Sequence, residues 1–275
     1  MSNSVIDWKK DSRSFDTVAA LYEAYRPTYP VELLEEILSA TGIPKDGSIL
    51  EIGSGTGKAT ELFAPRGYSI LCIEPGRHLA DIARKKLETF PRVKFQITTF
   101  EDWEDDGERF DLVISAQAFH WVAQEIRYQK TASVLKPLGY LAILYNHYLP
   151  LEDSVRQKLN QVYQQYAPEL ASDQPAAHKD IQFWTDELSE NDYFDLIAVK
   201  RFPWKQNYGT QQYLGLLNTY SDHLRLPEER LRQLFAGVKE VLEQEGGEIE
   251  KPYQAVAYIA RKRDSERDRE PASFT

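Results

Sequence analysis

The amino-acid sequence predicts an α/β fold, a doubly wound, mostly parallel sheet of seven strands with an antiparallel C-terminal hairpin and a helical insertion. Short apolar, β-rich runs alternate with helical patterns between Ser48 and Tyr145, as covering helices on a parallel sheet require. A glycine-rich turn, "EIGSGTGK", follows the first of these runs directly. After Asn146 the alternation stops, and a long polar helical pattern leads into two further β-rich runs. With 275 residues and 42% hydrophobic content the chain is able to bury a full core, and one large domain fits better than two.

Taken in order, strands are expected near Ser48–Ile52, Tyr68–Glu74, Lys94–Thr98, Phe110–Ser115 and Gly139–Tyr145. Helices are expected at Lys58–Phe63, His78–Glu88 and Gln124–Leu135, the last stopped by the Pro and Gly of "KPLG". "EDSVRQKLNQVYQQYAPEL" reads as an amphipathic helix, and the stretch with Pro175 and Trp184 as irregular. "FDLIAVKRFPWKQ" and "YQAVAYIARK" read as strands that rejoin the sheet as an antiparallel pair, separated by the helices "TQQYLGLLNTYS" and "PEERLRQLFAGVKEVLEQEG". The expected organisation is one domain over 1–262: an N-terminal helical lid at 1–45, a ligand-binding core at 46–147, a helical insertion at 148–192, and C-terminal strands and helices at 193–262. The charge-rich tail at 263–275 is expected to be disordered.

Composition excludes several function classes. A formal net charge of −10, from 33 Lys and Arg against 43 Asp and Glu, opposes a nucleic-acid surface, so small molecules are the expected partners. The single cysteine, Cys72, sits in the apolar run "YSILCIE" and reads as a buried structural thiol. No stretch approaches the roughly 20 apolar residues of a membrane span, and the first residues lack a signal-peptide core, so the expectation is a cytoplasmic monomer or homodimer with no membrane partner. His78, His147 and His178 are scattered without ligand spacing, and no metal site is expected.

The glycine turn tests against three owners. A phosphate-cradling P-loop needs Gly at the position of Ile52 and Ser or Thr at that of Ala59. A dinucleotide fingerprint needs Gly at Lys58 or at Thr60, depending on register, and has neither. What remains is an acidic residue followed by alternating glycines, Glu51, Gly53, Gly55 and Gly57.

That pattern resembles the first motif of the class I S-adenosylmethionine (SAM) dependent methyltransferases, which have a Rossmann-like sheet. The resemblance implies SAM as cofactor and S-adenosylhomocysteine as product. It implies Glu51 near the ligand's amino group and Gly53, Gly55 and Gly57 beneath its methionine and ribose portions. Glu74, ending the second strand, matches the acidic residue that holds both ribose hydroxyls, a role that suits two carboxylate oxygens; alone, it is equally a solvated strand-end charge. "TTFEDW" looks like the adenine turn, placing Phe100 and Glu101 beside the base, with Thr99 standing where family members often carry Asp. "DLVISAQAFHWV" resembles the motif after the fourth strand, with Ser115, Ala116 and Gln117 against the cleft and His120 and Trp121 at its rim. "YEAYRPTYP" together with "AFHW" is similar to the type-11-like branch that contains trans-aconitate methyltransferase. There the N-terminal segment folds over the cofactor, making Tyr25 and Arg26 cofactor-side candidates, Arg26 near the SAM carboxylate, with Tyr22 and Tyr29 on the substrate side. The alternative treats Tyr22, Tyr25 and Tyr29 as packing aromatics, with Pro27 and Pro30 fixing a turn.

A sulfonium methyl is already activated, so positioning carries most of the catalysis. A carboxylate acceptor needs no base, whereas a hydroxyl benefits from one, for which His120 and His223 are the candidates. Tyr163, Tyr166, Phe183, Trp184, Tyr193, Trp204, Tyr208 and Tyr220 are candidates to line an acceptor pocket or to fill the core. A SAM-binding sensor and an NAD-dependent oxidoreductase remain as alternative functions.

Overall fold

The computed structural model describes residues 16–171 and 177–264. Its elements run α1 (Ala19–Tyr25), α2 (Val31–Thr41), β1 (Ser48–Ile52), α3 (Thr60–Phe63), β2 (Ser69–Ile73), α4 (Arg77–Lys86), β3 (Val93–Gln96) and β4 (Phe110–Ala116). They continue with α5 (Gln124–Val134), β5 (Leu135–Tyr148), α6 (Asp153–Tyr166), α7 (Ala177–Glu190), β6 (Phe194–Gly209), α8 (Thr210–Leu217), α9 (Ser221–Leu224), α10 (Glu228–Gln244) and β7 (Glu248–Lys262). Single 3-10 turns at Ala64–Arg66 and Phe119–Trp121 complete the set.

Seven strands form one sheet in the order β3-β2-β1-β4-β5-β7-β6. The β1 to β5 half is parallel, and the winding reverses between β1 and β4, where Ile49 lies opposite Leu112. β7 enters antiparallel between β5 and β6, with Tyr140 opposite Arg261 and Phe194 opposite Lys262.

Alternation along β1 explains the layers. Leu50 and Ile52 face a core that includes Phe119, Trp184 and Tyr258, while Ile49 on the other face packs with Leu33, Leu34 and Ile37 of α2. A third cluster, in which Leu159 of α6, Leu216 of α8 and Leu234 of α10 meet Tyr208 and Tyr253, caps the far end of the long β6 and β7 strands. α4 buries Leu79, Ala80 and Ala83 and places Arg84, Lys85 and Lys86 in its last turn, where cations complement the helix dipole.

Two expectations change. Trp184 lies within α7, with Ile181, Trp184 and Leu188 forming a buried face at helical spacing, so this stretch is regular. β5 starts at Leu135 and carries "KPLG" within it, with Leu138 at φ 58° and a register shift opposite Phe110 and Leu112. Pro175, the first fifteen residues and most of the expected tail lie outside the described residues. Among the described residues no helix is long and apolar enough to cross a membrane, and no group of three His, Cys, Asp or Glu side chains is placed to hold a metal.

Candidate active site

The carboxyl ends of β1, β2 and β4 converge beside the winding reversal, where open α/β sheets bind ligands. The glycine turn leaves β1 there and is hooked to β2 by the amides of Gly53 and Ser54, which donate to the Ile73 carbonyl at 2.8 and 3.3 Å. Gly53 has φ 69°, and a Cβ on it would fall 2.4 Å from the Ala118 methyl, so glycine is required by conformation and by close approach.

Two buried carboxylates flank this turn. Glu74 accepts the Gly55 amide on Oε2 and the Gly76 amide on Oε1, each at 2.8 Å, which fixes both oxygens at the end of β2. Burial pushes its pKa up to about 7 against the pull of those two amides. Glu51 accepts the Thr60 hydroxyl on Oε2 at 2.6 Å, while its buried Oε1 meets no donor among the described residues. Burial drives Glu51 up to about 8, with the Thr60 bond opposing and the Glu74 charge adding. A side cavity of about 40 Å³ opens against Glu51, Tyr22, Arg26, Tyr29 and Lys58. Asp16 accepts the His78 and Leu79 amides at 2.7 and 3.1 Å, tying the start of the described chain to the first turn of α4.

The main cavity, about 570 Å³, runs from Glu74 and Gly55 past Thr99, Phe100 and Glu101 to an aromatic end. Phe100 is buried and stacked on Trp103 at 6.1 Å, offering a flat apolar wall. Thr99 donates its hydroxyl to Asp102 Oδ2 at 2.9 Å, and Glu101 accepts the Ala123 amide at 2.9 Å ahead of α5. Gln117 is a non-glycine residue at φ 57°, held by its amide on the Leu144 carbonyl and by its Nε2 on the Asn146 carbonyl, at 2.9 and 3.1 Å. Such backbone cost persists only where the surroundings enforce it, and here it lies on the cavity wall.

Two histidines line the aromatic end. His120 Nδ1 lies 2.7 Å from the Tyr145 hydroxyl, and its ring centroid lies 4.6 Å from that of Trp121. Crowding by these neighbours and the Arg127 charge hold its pKa down to about 4, although the residue keeps an exposed surface. His223 is tethered at both nitrogens, Nδ1 to Asp222 Oδ1 at 2.7 Å and Nε2 to the Tyr163 hydroxyl at 2.8 Å. Arg26 closes the same end. Its Nε and Nη2 donate to the Thr219 hydroxyl and carbonyl, both at 2.7 Å, its Nη1 donates to the Tyr148 hydroxyl at 2.9 Å, and its guanidinium sits 4.5 Å from the Tyr220 ring centroid.

Of the residues expected from sequence, Tyr22, Arg26, Gly53, Gly55, Glu74, Phe100, Glu101, Ala116, Gln117, His120, Trp121 and His223 line the main cavity, and Glu51 and Tyr29 line its side cavity. Three lie elsewhere. Tyr25 packs its ring over Gly215 of α8, where a Cβ would fall 2.3 Å away. Gly57 packs against Leu87 and Ala83, and buried Ser115 donates to the Ile52 carbonyl at 2.9 Å, joining β4 to β1. Of the aromatic candidates, Tyr163 and Tyr220 reach the main cavity, whereas Phe183 and Tyr193 are exposed. Tyr145, Asn146 and Tyr148 of β5 line the cavity without having been singled out by sequence. Their signal was the length of β5, whose last residues run past the end of β4.

A glycine turn at the winding reversal, two buried carboxylates and a cavity with an apolar wall define an α/β enzyme for a nucleoside-bearing ligand. Comparison with known proteins narrows this. A methyltransferase-domain family profile matches residues 49–139. A methyltransferase-like protein of Schizosaccharomyces pombe, itself uncharacterised, is 30% identical over 261 residues, covering 92% of this chain and 96% of that protein. The chain belongs to the class I SAM-dependent methyltransferases. A solved SAM-dependent methyltransferase of Thiobacillus denitrificans in complex with S-adenosyl-L-homocysteine shares the fold, with TM-score 0.54 at 14% identity over 91% of this chain and 98% of that one. A second, from Geobacter sulfurreducens and also in complex with S-adenosyl-L-homocysteine, superposes with TM-score 0.52 at 13% identity over the same shares, 91% and 98%. The residues present fit the cofactor: the unpartnered Oε1 of Glu51 suits an ammonium, and the fixed oxygens of Glu74 keep lone pairs for hydroxyl donors.

Proposed function

We propose that this methyltransferase moves the methyl group of SAM onto an oxygen of a small-molecule acceptor, a carboxylate or a hydroxyl, by in-line displacement. The carrying observation is one continuous cavity of about 570 Å³ that joins the Glu74 end to the His120 and His223 end, a size within the usual range for small-molecule sites. The net charge of −10 supports a metabolite over nucleic acid as acceptor, and a cytoplasmic setting goes with that reading.

SAM supplies a methyl already activated as a sulfonium. The chain's own residues bind and orient. Glu74 would accept the ribose hydroxyls, Glu51 would offer Oε1 to the amino group, and Phe100 would cover the adenine, with Thr99 and Glu101 at its edge. Asp102, bonded to the Thr99 hydroxyl, stands close to the position where the family often carries Asp. Tyr22 and Arg26 close the cavity from the N-terminal side. Lys58 supports that closure by donating to the Glu23 carbonyl at 2.9 Å, which ties α1 to the residue after the glycine turn. The aromatic end would exclude water, and its packed side chains would favour an in-line approach of the acceptor oxygen to the methyl carbon.

The test is a methyl-transfer screen with isotopically labelled SAM over carboxylic and hydroxylated metabolites, preceded by calorimetry with S-adenosylhomocysteine and NAD. Methyl transfer to a carboxylate or hydroxyl is expected. Ligand binding without transfer to any acceptor makes the protein a sensor, and NAD binding without S-adenosylhomocysteine binding overturns the reading.

A further inference from the structure

His120 and Tyr145 meet at 2.7 Å, and the direction of that hydrogen bond decides what the imidazole is able to do. Among the described residues the phenol oxygen of Tyr145 has one hydrogen-bond partner, His120 Nδ1. That nitrogen is the acceptor available to the phenol's single proton. Burial keeps the phenol protonated far above neutral pH, so it always has that proton to give. Trp184 is itself fixed, buried in α7 and stacked on the Tyr145 ring at 5.5 Å.

We propose that Tyr145, held by Trp184, is a positioning residue that locks His120 as the Nε2–H tautomer, so that the imidazole presents a hydrogen-bond donor to the acceptor and not a base. The lone pair of Nδ1 is consumed by the phenol, and the remaining nitrogen, Nε2, carries the proton. The charged and titratable groups around the ring agree. Arg127 of α5, paired with Glu187 of α7, opposes protonation of the ring, Glu101 lines the same cavity, and His147 stacks beside Tyr145 at 5.7 Å. His223 offers no substitute, because its Nδ1 is bound to the Asp222 carboxylate and its Nε2 faces the Tyr163 hydroxyl.

The acceptor class follows, resting on the methyl-transfer reading above. A site with a donor at this position suits an oxygen nucleophile that has no proton to lose, a carboxylate. One carboxylate oxygen takes the Nε2–H, and the other directs a lone pair at the methyl carbon. As the new O–C bond forms the C–S bond breaks, its electron pair stays on sulfur, the sulfonium becomes a neutral thioether, and the carboxylate becomes a neutral ester. No proton moves.

The experiment is carried out on the full chain with bound S-adenosylhomocysteine. Histidine-15N NMR is expected to show His120 with a protonated Nε2 and an unprotonated Nδ1 between pH 6 and 8, and Tyr145→Phe is expected to lose that single tautomer. In methyl-transfer assays with the best carboxylate found, His120→Gln, whose amide places a donor near Nε2 but is no base, is expected to recover most of the kcat/KM that His120→Ala loses, a loss of about 10- to 150-fold. A protonated Nδ1 on His120, or a Gln variant as poor as the Ala variant, overturns the proposal. A wild-type protein that binds no S-adenosylhomocysteine instead fails the methyltransferase reading, and the NMR arm distinguishes the two because it needs no turnover.

Discussion

The two ends of the cavity are built by different rules. The proposed cofactor end is local: β1, the glycine turn, the end of β2 and the turn after β3 supply it from residues 51–101, each within a few positions of a strand terminus. The proposed acceptor end is assembled from α1, β5, α6 and the segment around α9, which are far apart in the chain and meet through side chains such as Arg26, Tyr148 and Thr219. A site built from backbone conformation tolerates few residue types. A site built from converging side chains has many solutions, and its chemistry is free to differ between relatives.

Substitutions at the two ends sharpen this contrast. The largest effect is expected for Glu74→Ala, which removes charge-assisted acceptors and is expected to weaken S-adenosylhomocysteine binding by about 10- to 150-fold in calorimetry, with the fold retained by circular dichroism. An unchanged dissociation constant would break the assignment of this end to the ribose.

Arg26→Ala acts at the other end and strands Thr219 and Tyr148. It is expected to lower both methyl transfer and thermal stability, the latter by about 1–3 kcal/mol. Loss of transfer at unchanged Tm would show that Arg26 acts on ligand alone. The N-terminal lid reading adds that hydrogen exchange before residue 31 slows when S-adenosylhomocysteine binds.

Glu51 gives a subtler signal. Its folded pKa, about 8, lies above the unfolded carboxylate value, so this group's stabilising contribution is complete below about pH 4.5 and is lost as pH rises through 8. An ammonium placed on Oε1 favours the ionised form, so S-adenosylhomocysteine binding at pH 6.5 is expected to release up to roughly one proton, fading above pH 9. Calorimetry in buffers of different ionisation enthalpy reads this directly, and Glu51→Gln is expected to remove the Glu51 share, leaving only what Glu74, with its pKa of about 7, contributes. The smallest effect is expected for Tyr25→Phe. With its ring on Gly215 and outside the cavity lining, it should shift S-adenosylhomocysteine affinity by less than about twofold.

The parallel half of the sheet was legible because each strand is a compact apolar run followed by a turn signal. The glycine motif was legible because Gly53, Gly55 and Gly57 all take positive φ, which leaves little alternative to glycine. The helix around Trp184 is harder to see in the sequence: Ile181, Trp184 and Leu188 have helical spacing, but the nearby Pro175 masks the pattern. Tyr145 could not be found by spacing. Its role depends on His120 and Trp184, 25 residues before it and 39 after it, and on a long β5 that carries its side chain past the neighbouring strand. Tyr25 and Arg26 are adjacent in one motif, yet the helical turn sends one ring to α8 and the other side chain to the cavity.

The position of β7 has a consequence for synthesis on the ribosome. Strands β1 to β5 pair with one another as they emerge, but β5 then presents an unpaired edge from Tyr140 to Tyr148 until the partner residues Tyr253 to Arg261 arrive more than a hundred residues later. β6 has no place in the sheet before β7, because β7 is its link to β5. A growing chain thus carries an open, apolar strand edge through much of its translation, the kind of edge that recruits other chains. Slow or stalled translation between residues 150 and 250 is where this protein would most need a chaperone's cover.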